Sequence, residues 1–280
     1  MRADTIKYAF YPTDKVMQTN TDKLIATKEN GIGWIIFNNP ARHNAVSLEM
    51  WQGLTSTLEA YAKDPEVRVI ILKGAGEKAF VAGADISQFK EKRSSPEAVE
   101  EYNSTADLAS KTLQSCPKPT IAMVRGFCIG GGTALAIGCD IRIVSEDARF
   151  GVPAGKLGLG YRFTGIKRLA DVVGPAFTAE IFFTARQFTA QEALQMNLVN
   201  RVVPGAELEK YTLDYANTIA NNAPLTIAAV KRSIIEYLRN PAERDLALCQ
   251  KMVDDCYTSE DYKEGQTAFM EKRKPVFKGR

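Results

Sequence analysis

Apolar positions recur along the chain with two periods, and the change of period divides it. Ile32, Trp34 and Ile36 fall on alternate positions, the spacing of a strand. From Ser47 to Lys63 the apolar residues recur at helical spacing, with Ser47 as the expected N-cap and Pro65 just past the end. Val67 to Leu72 is almost continuously apolar and predicts a buried strand. Pro96 to Ser115 predicts a helix bounded by Pro117 and Pro119. Thr120 to Val124 predicts a strand that runs into glycines and then a helix, and Ile141 to Val144 predicts another strand. Thr189 with Glu192 makes a capping box before a short helix, and Val199 to Val203 is the last strand signal. After Pro204 every run is helical: 206–222, 225–239, 243–257 and 259–273, punctuated by Pro224, Pro241 and Ser259. Periodicity alone therefore gives an α/β body, residues 21–204, followed by a helical region, residues 205–280.

Candidate chemistry begins at Gly130-Gly131-Gly132, where an apolar strand meets a helix start. The first N–H groups of a helix lack partners within it, and its dipole makes that end positive, so such a turn accepts negative charge. The spacing G-x-x-x-G-G-G is not the G-x-G-x-x-G of a dinucleotide site. Gly151 to Leu157 resembles a P-loop but is one residue short, and Leu157 stands where a magnesium-binding hydroxyl belongs. On its own, the triple glycine reads equally as close packing. A second strand, Val67 to Lys73, also runs into a small-residue turn, Gly74 to Ile86, which contains Ala82-Gly83-Ala84-Asp85. Two such turns facing each other would present two backbone N–H groups to one oxygen, the geometry of an oxyanion hole.

Composition narrows the partners. The chain of 280 residues is 45% hydrophobic and 25% charged, ordinary for a protein with a sizeable core. A net charge of +3, spread along the chain, gives no footprint for nucleic acid. The single histidine, His43, excludes a metal site built on several histidines, and no metal is expected. Five cysteines with no paired spacing point to reduced thiols and a cytoplasmic protein. No apolar run has membrane-spanning length. Residues 1–20 carry Asp4 and Asp14 and no apolar stretch, so they read as a flexible extension rather than a signal peptide.

The two turns, with Cys139-Asp140 behind the second, resemble the enoyl-CoA hydratase/isomerase (crotonase) superfamily. So do Asn39 to Ala45, Phe150 to Pro153, Leu198 to Pro204 and Ala268 to Pro275, in the same order. The resemblance implies an α/β spiral of repeated strand-strand-helix units, with a C-terminal helical region that forms trimers. It implies an acyl-CoA substrate, with coenzyme A arriving as part of the substrate and no separate cofactor. It also implies a homotrimer or a dimer of trimers. By this resemblance Ala84 and Gly131 supply the oxyanion hole. Arg42, His43, Ala82, Asp85 and Ile86 lie along the coenzyme A path, and Phe269 and Lys272 reach the nucleotide from a neighbouring subunit.

The family's hydratases carry one glutamate two residues after the triple glycine and another after the proline of the Phe-Gly segment. Here those positions are Ala134 and Ala154. A methyl group moves no protons, so water addition by the usual pair is lost. The run Lys156 to Ile166 is closest to methylmalonyl-CoA decarboxylase within the superfamily, with Tyr161 at the acyl-pocket tyrosine. Tyr161 is then either a catalytic hydroxyl or a packed aromatic. Arg162 either pairs with a substrate carboxylate or lies in solvent. Glu100, Glu101 and Asp107 are either replacements for the lost acids or a solvated helix face. The expected function is a lyase acting through an enolate, with decarboxylation of a malonyl-type acyl-CoA as the leading subtype. The alternatives are a hydratase or isomerase with non-standard acid/base groups, and a non-catalytic acyl-CoA-binding protein.

Overall fold

A computed structural model describes residues 16–17, 19–85 and 96–280. Among these, eleven strands form two sheets. The larger takes β1 (Val16–Met17), β2 (Leu24–Glu29), β3 (Ile32–Phe37), β4 (Val69–Gly74), β6 (Thr120–Val124), β8 (Ile141–Ser145) and β11 (Arg201–Val203), in that order. The smaller takes β10 (Phe188–Thr189), β9 (Arg149–Gly151), β7 (Phe127–Ile129) and β5 (Ala79–Val81). Strands β1, β2 and β3 pair antiparallel, and β3 onward is parallel across the large sheet. Val16 and Met17 already pair with Thr27 and Ala26, so the sheet starts inside the segment expected to be an extension.

The chain winds as a spiral. It lays one strand in the large sheet, turns a corner, lays one in the small sheet and returns through a helix. Three successive turns do this: β4, β5 and α2 (Pro96–Ser115); β6, β7 and α3 (Gly131–Gly138); β8, β9 and α4 (Phe163–Thr184). Helix α4 breaks at Gly174, whose backbone is not helical, and resumes at Pro175. Helix α1 (Leu48–Lys63) follows the first hairpin, and the short α5 (Ala190–Gln195) precedes β11.

Both faces of the large sheet are covered, which explains why β3 is buried at every position rather than at alternate ones. One face carries Ile35, Phe37, Ile70, Leu72 and Ala122, packed with Leu54 and Leu58 of α1 and Leu113 of α2. The other carries Trp34, Ile71, Ile121 and Ile143 under Leu208 and Ala216 of α6 (Leu208–Ala220). Helix α7 (Pro224–Leu238) is anchored by Lys231, whose ammonium is buried against the Asp140 carboxylate at 2.8 Å and the Lys118 carbonyl at 2.6 Å. Helices α8 (Leu246–Thr258) and α9 (Glu260–Met270) complete the C-terminal region, with α8 packed on α7. No described helix is long and apolar enough to cross a membrane.

Candidate active site

The two glycine turns meet. A Cβ at Gly131 would come within 3.8 Å of the Gly83 carbonyl carbon, and one at Gly130 within 3.9 Å of the Gly83 Cα. The close approach needs glycine at two points. Gly130 adopts φ +56°, a left-handed conformation that ordinary side chains avoid. A Cβ at Gly132 would lie 1.9 Å from the Val81 carbonyl oxygen, inside the neighbouring strand's backbone. The turn is pinned from behind: Gly130 N–H donates to the Gly151 carbonyl at 2.8 Å, and the Thr133 hydroxyl reaches the Cys128 carbonyl at 2.8 Å.

The direction of the donors follows from the backbone. Gly131 opens α3, so its N–H has no acceptor within the helix. Ala84 sits in a parallel bridge with Val46. The Val46 N–H donates to the Gly83 carbonyl at 2.9 Å, and the Asp85 N–H donates to the Val46 carbonyl at 3.0 Å. In a trans peptide the C=O and N–H point to opposite sides. With the Gly83 carbonyl aimed at Val46, the Ala84 N–H of the same peptide unit points away from it.

At the two positions where the family's hydratases carry glutamates, Ala154 is buried in the main core at 6% exposure and Ala134, in the first turn of α3, is half-buried. Tyr161 packs edge-on against Phe182 with ring centroids 4.7 Å apart, and it crowds Gly165. Burial pushes its phenol above the usual tyrosine range, so the hydroxyl keeps its proton. Cys128 and Cys139, behind the turn, are fully buried; burial raises both thiols, Cys139 to about 12, so neither serves as a nucleophile.

Arg162 is solvent-exposed but not an isolated cation. Its guanidinium pairs with Glu100 at 3.1 Å and Asp107 at 2.5 Å, tying α2 to the segment before α4. All three side chains remain exposed, so at these two residues α2 presents a solvated face that carries ion pairs.

The other candidates fall in two groups. Arg42, His43, Ala82 and Asp85 come together: Arg42 lies 3.6 Å from the buried Asp85 carboxylate, and the Ala82 N–H donates to the His43 carbonyl at 3.0 Å. His43 stacks on Phe127 with centroids 5.8 Å apart, a packing role rather than a base's. Phe269 lies elsewhere, in a groove of about 880 Å³ lined by residues 223–277. Lys272 follows it in a left-handed backbone turn. Ile86 falls outside the described residues.

Sequence reasoning missed Trp51 and Tyr102. The Trp51 indole N–H donates to the Tyr102 hydroxyl at 2.9 Å, and that hydroxyl donates to the Val46 carbonyl at 2.9 Å. The two lie on different helices, so no spacing in the chain connects them.

Comparison with known proteins follows the same outline. The family model for enoyl-CoA hydratase/isomerase matches residues 27–280. The chain is 37% identical over 253 residues to short-chain-enoyl-CoA hydratase of Clostridium acetobutylicum, covering 90% of this chain and 96% of that one. It is 35% identical over 264 residues to carnitinyl-CoA dehydratase of Escherichia coli O157:H7, covering 93% of this chain and all of the relative. An enoyl-CoA hydratase/carnithine racemase structure from Magnetospirillum magneticum matches with a TM-score of 0.88 at 36% identity, over 96% of this chain and 100% of that one. With a spiral of strand-strand-helix turns, two facing glycine turns and a family match over nearly its whole length, the chain belongs to the enoyl-CoA hydratase/isomerase (crotonase) family.

Proposed function

We propose that this protein is an acyl-CoA lyase working through an enolate whose oxygen is held by the N–H groups of Ala84 and Gly131. The observation that carries the reading is that the two turns face each other so closely that a Cβ at Gly131 would come within 3.8 Å of the Gly83 carbonyl carbon. Coenzyme A enters as part of the substrate, along Arg42, His43, Ala82, Asp85 and Ile86. Phe269 and Lys272 approach it from a neighbouring subunit of a homotrimer or a dimer of trimers.

The leading subtype is decarboxylation of a malonyl-type thioester. A carboxylate beta to the thioester carbonyl leaves as carbon dioxide. The electrons of the broken C–C bond pass to the alpha carbon and carbonyl, giving an enolate, and a proton then adds at the alpha carbon. No protein base is needed, which suits alanine at 134 and 154. Tyr161, with its hydroxyl protonated, orients the carboxylate or delivers the proton.

A second reading rests on the names of the relatives, which are hydratases and dehydratases. It requires Glu100, Glu101 or Asp107 to replace the lost acids, and the pairing of Glu100 and Asp107 with Arg162 counts against those two. Methylmalonyl-CoA and crotonyl-CoA assayed side by side separate the two. The first reading expects faster carbon dioxide release than hydration, impaired by Tyr161→Phe. Hydration of crotonyl-CoA without carbon dioxide release would establish the second. Micromolar binding with no turnover of either would make the protein a non-catalytic acyl-CoA binder.

A further inference from the structure

We infer that Trp51 and Tyr102 are positioning residues that aim the two backbone donors; the inference rests on the facing-turn reading above. The Val46 carbonyl accepts twice, from the Tyr102 hydroxyl at 2.9 Å and from the Asp85 N–H at 3.0 Å. The second bond is half of the bridge that sets the peptide carrying the Ala84 N–H. Tyr102 therefore holds the Val46 carbonyl, the bridge partner against which Ala84 is oriented. Its hydroxyl is itself held by the Trp51 indole N–H at 2.9 Å. The same indole reaches the other donor: its Cζ2 lies 3.9 Å from the Cβ position of Gly131.

One buried tryptophan thus borders one half of the hole through its ring edge and the other half through a tyrosine hydroxyl. Two donors act on one oxygen only if their separation and direction are held, and a displacement near 1 Å costs up to about 10²-fold in rate. Since Tyr102 belongs to α2, the same contact couples the position of that helix to the aim of the hole.

The test uses butyryl-CoA labelled with carbon-13 at its thioester carbonyl, which can be neither hydrated nor decarboxylated. Infrared difference spectra report how strongly the bound carbonyl is polarised. In the wild-type protein its stretch moves to lower frequency on binding. Tyr102→Phe and Trp51→Phe, each checked for an unchanged thermal midpoint, should bind butyryl-CoA within about threefold of wild type and lose at least about half of that shift. On whichever thioester the enzyme turns over, kcat should fall roughly tenfold with little change in KM. The double variant should lose more than Tyr102→Phe alone but less than the product of the two single losses, because Trp51 acts partly through the Tyr102 hydroxyl and partly through its ring edge beside Gly131. Full carbonyl shift in both single variants, with a wild-type shift present, would overturn the inference while leaving the hole intact. No shift in the wild-type protein would overturn the hole and the inference together.

Discussion

Gly131 and Gly132 are neighbours with opposite demands. A Cβ at Gly131 meets nothing nearer than 3.8 Å, whereas one at Gly132 would sit 1.9 Å from a backbone oxygen. Space is therefore not what calls for glycine at 131, and the first helical position also tolerates proline, which lacks only an N–H that the helix leaves unpaired. Gly131→Pro should fold with a thermal midpoint near wild type and lose roughly 10²–10³-fold in turnover, the usual loss for one oxyanion donor. Gly132→Ala should instead unfold at distinctly lower temperature, because the clash is with β5 backbone rather than a flexible side chain. Full turnover in folded Gly131→Pro would place the donor elsewhere. The glycine turns were legible in the sequence because only glycine satisfies such a backbone. The Trp51–Tyr102 contact was not, since the partners are 51 residues apart and each also fits an ordinary amphipathic helix. Arg162 was legible as a candidate, but its partners, 55 and 62 residues away, were not assignable to it.

Among the elements, legibility followed length and punctuation. Helix α2 was readable from end to end because prolines bracket it. Strands β7 and β9, three residues each, are too short to show a period, so the small sheet stayed hidden inside what read as turns. Helix α4 was missed because its first turns carry exposed apolar residues, Phe163 and Ile166, that break the expected pattern. Ser47 marks the start of α1, yet among the described residues its buried hydroxyl has no hydrogen-bond partner, so the position was right without the capping bond. The Thr189 box is the reverse: both of its bonds form, at 3.2 Å from the Glu192 N–H to the hydroxyl and at 2.8 Å from the Thr189 N–H to the carboxylate. That backbone bond first, and then Arg186, hold the Glu192 carboxyl down at about 2, from an ordinary 4.5. A depressed carboxyl stabilises the fold fully above its unfolded value and ceases to do so as pH falls through its folded one. Thr189→Ala should cost about 1 kcal/mol in denaturant unfolding at pH 7. The gap in stability between wild type and Glu192→Gln should be open at pH 7 and close progressively between pH 4.5 and about 2. A gap that stayed constant over that range would mean the carboxylate contributes through shape rather than charge.

At the scale of the whole molecule, the C-terminal region is well tied internally but leaves apolar surface uncovered. The Asp261 carboxylate accepts the N–H groups of Lys278 at 2.6 Å and Gly279 at 2.7 Å, and Arg68 donates to the Phe277 carbonyl at 2.8 Å, so the last residues are stitched to α9 and to the body. Phe269 and Met270 nevertheless stand 83% and 80% exposed, beside the groove between α7, α8 and α9. Contiguous exposed apolar surface of this kind is uncommon in monomers, and closed symmetric assembly is the usual way to bury it. Light scattering at micromolar concentration should therefore give a trimer or a dimer of trimers. Phe269→Glu is the sharper variant for this purpose, because deleting residues 259–280 would also remove the Asp261 anchor. The substitution should yield a smaller species that keeps its secondary structure. Because Phe269 and Lys272 are proposed to reach the coenzyme A held by a neighbour, acyl-CoA affinity should fall in the same variant. A wild-type monomer stable at micromolar concentration would defeat the assembly. An assembly broken by Phe269→Glu with acyl-CoA affinity unchanged would keep the interface and remove these residues from the nucleotide.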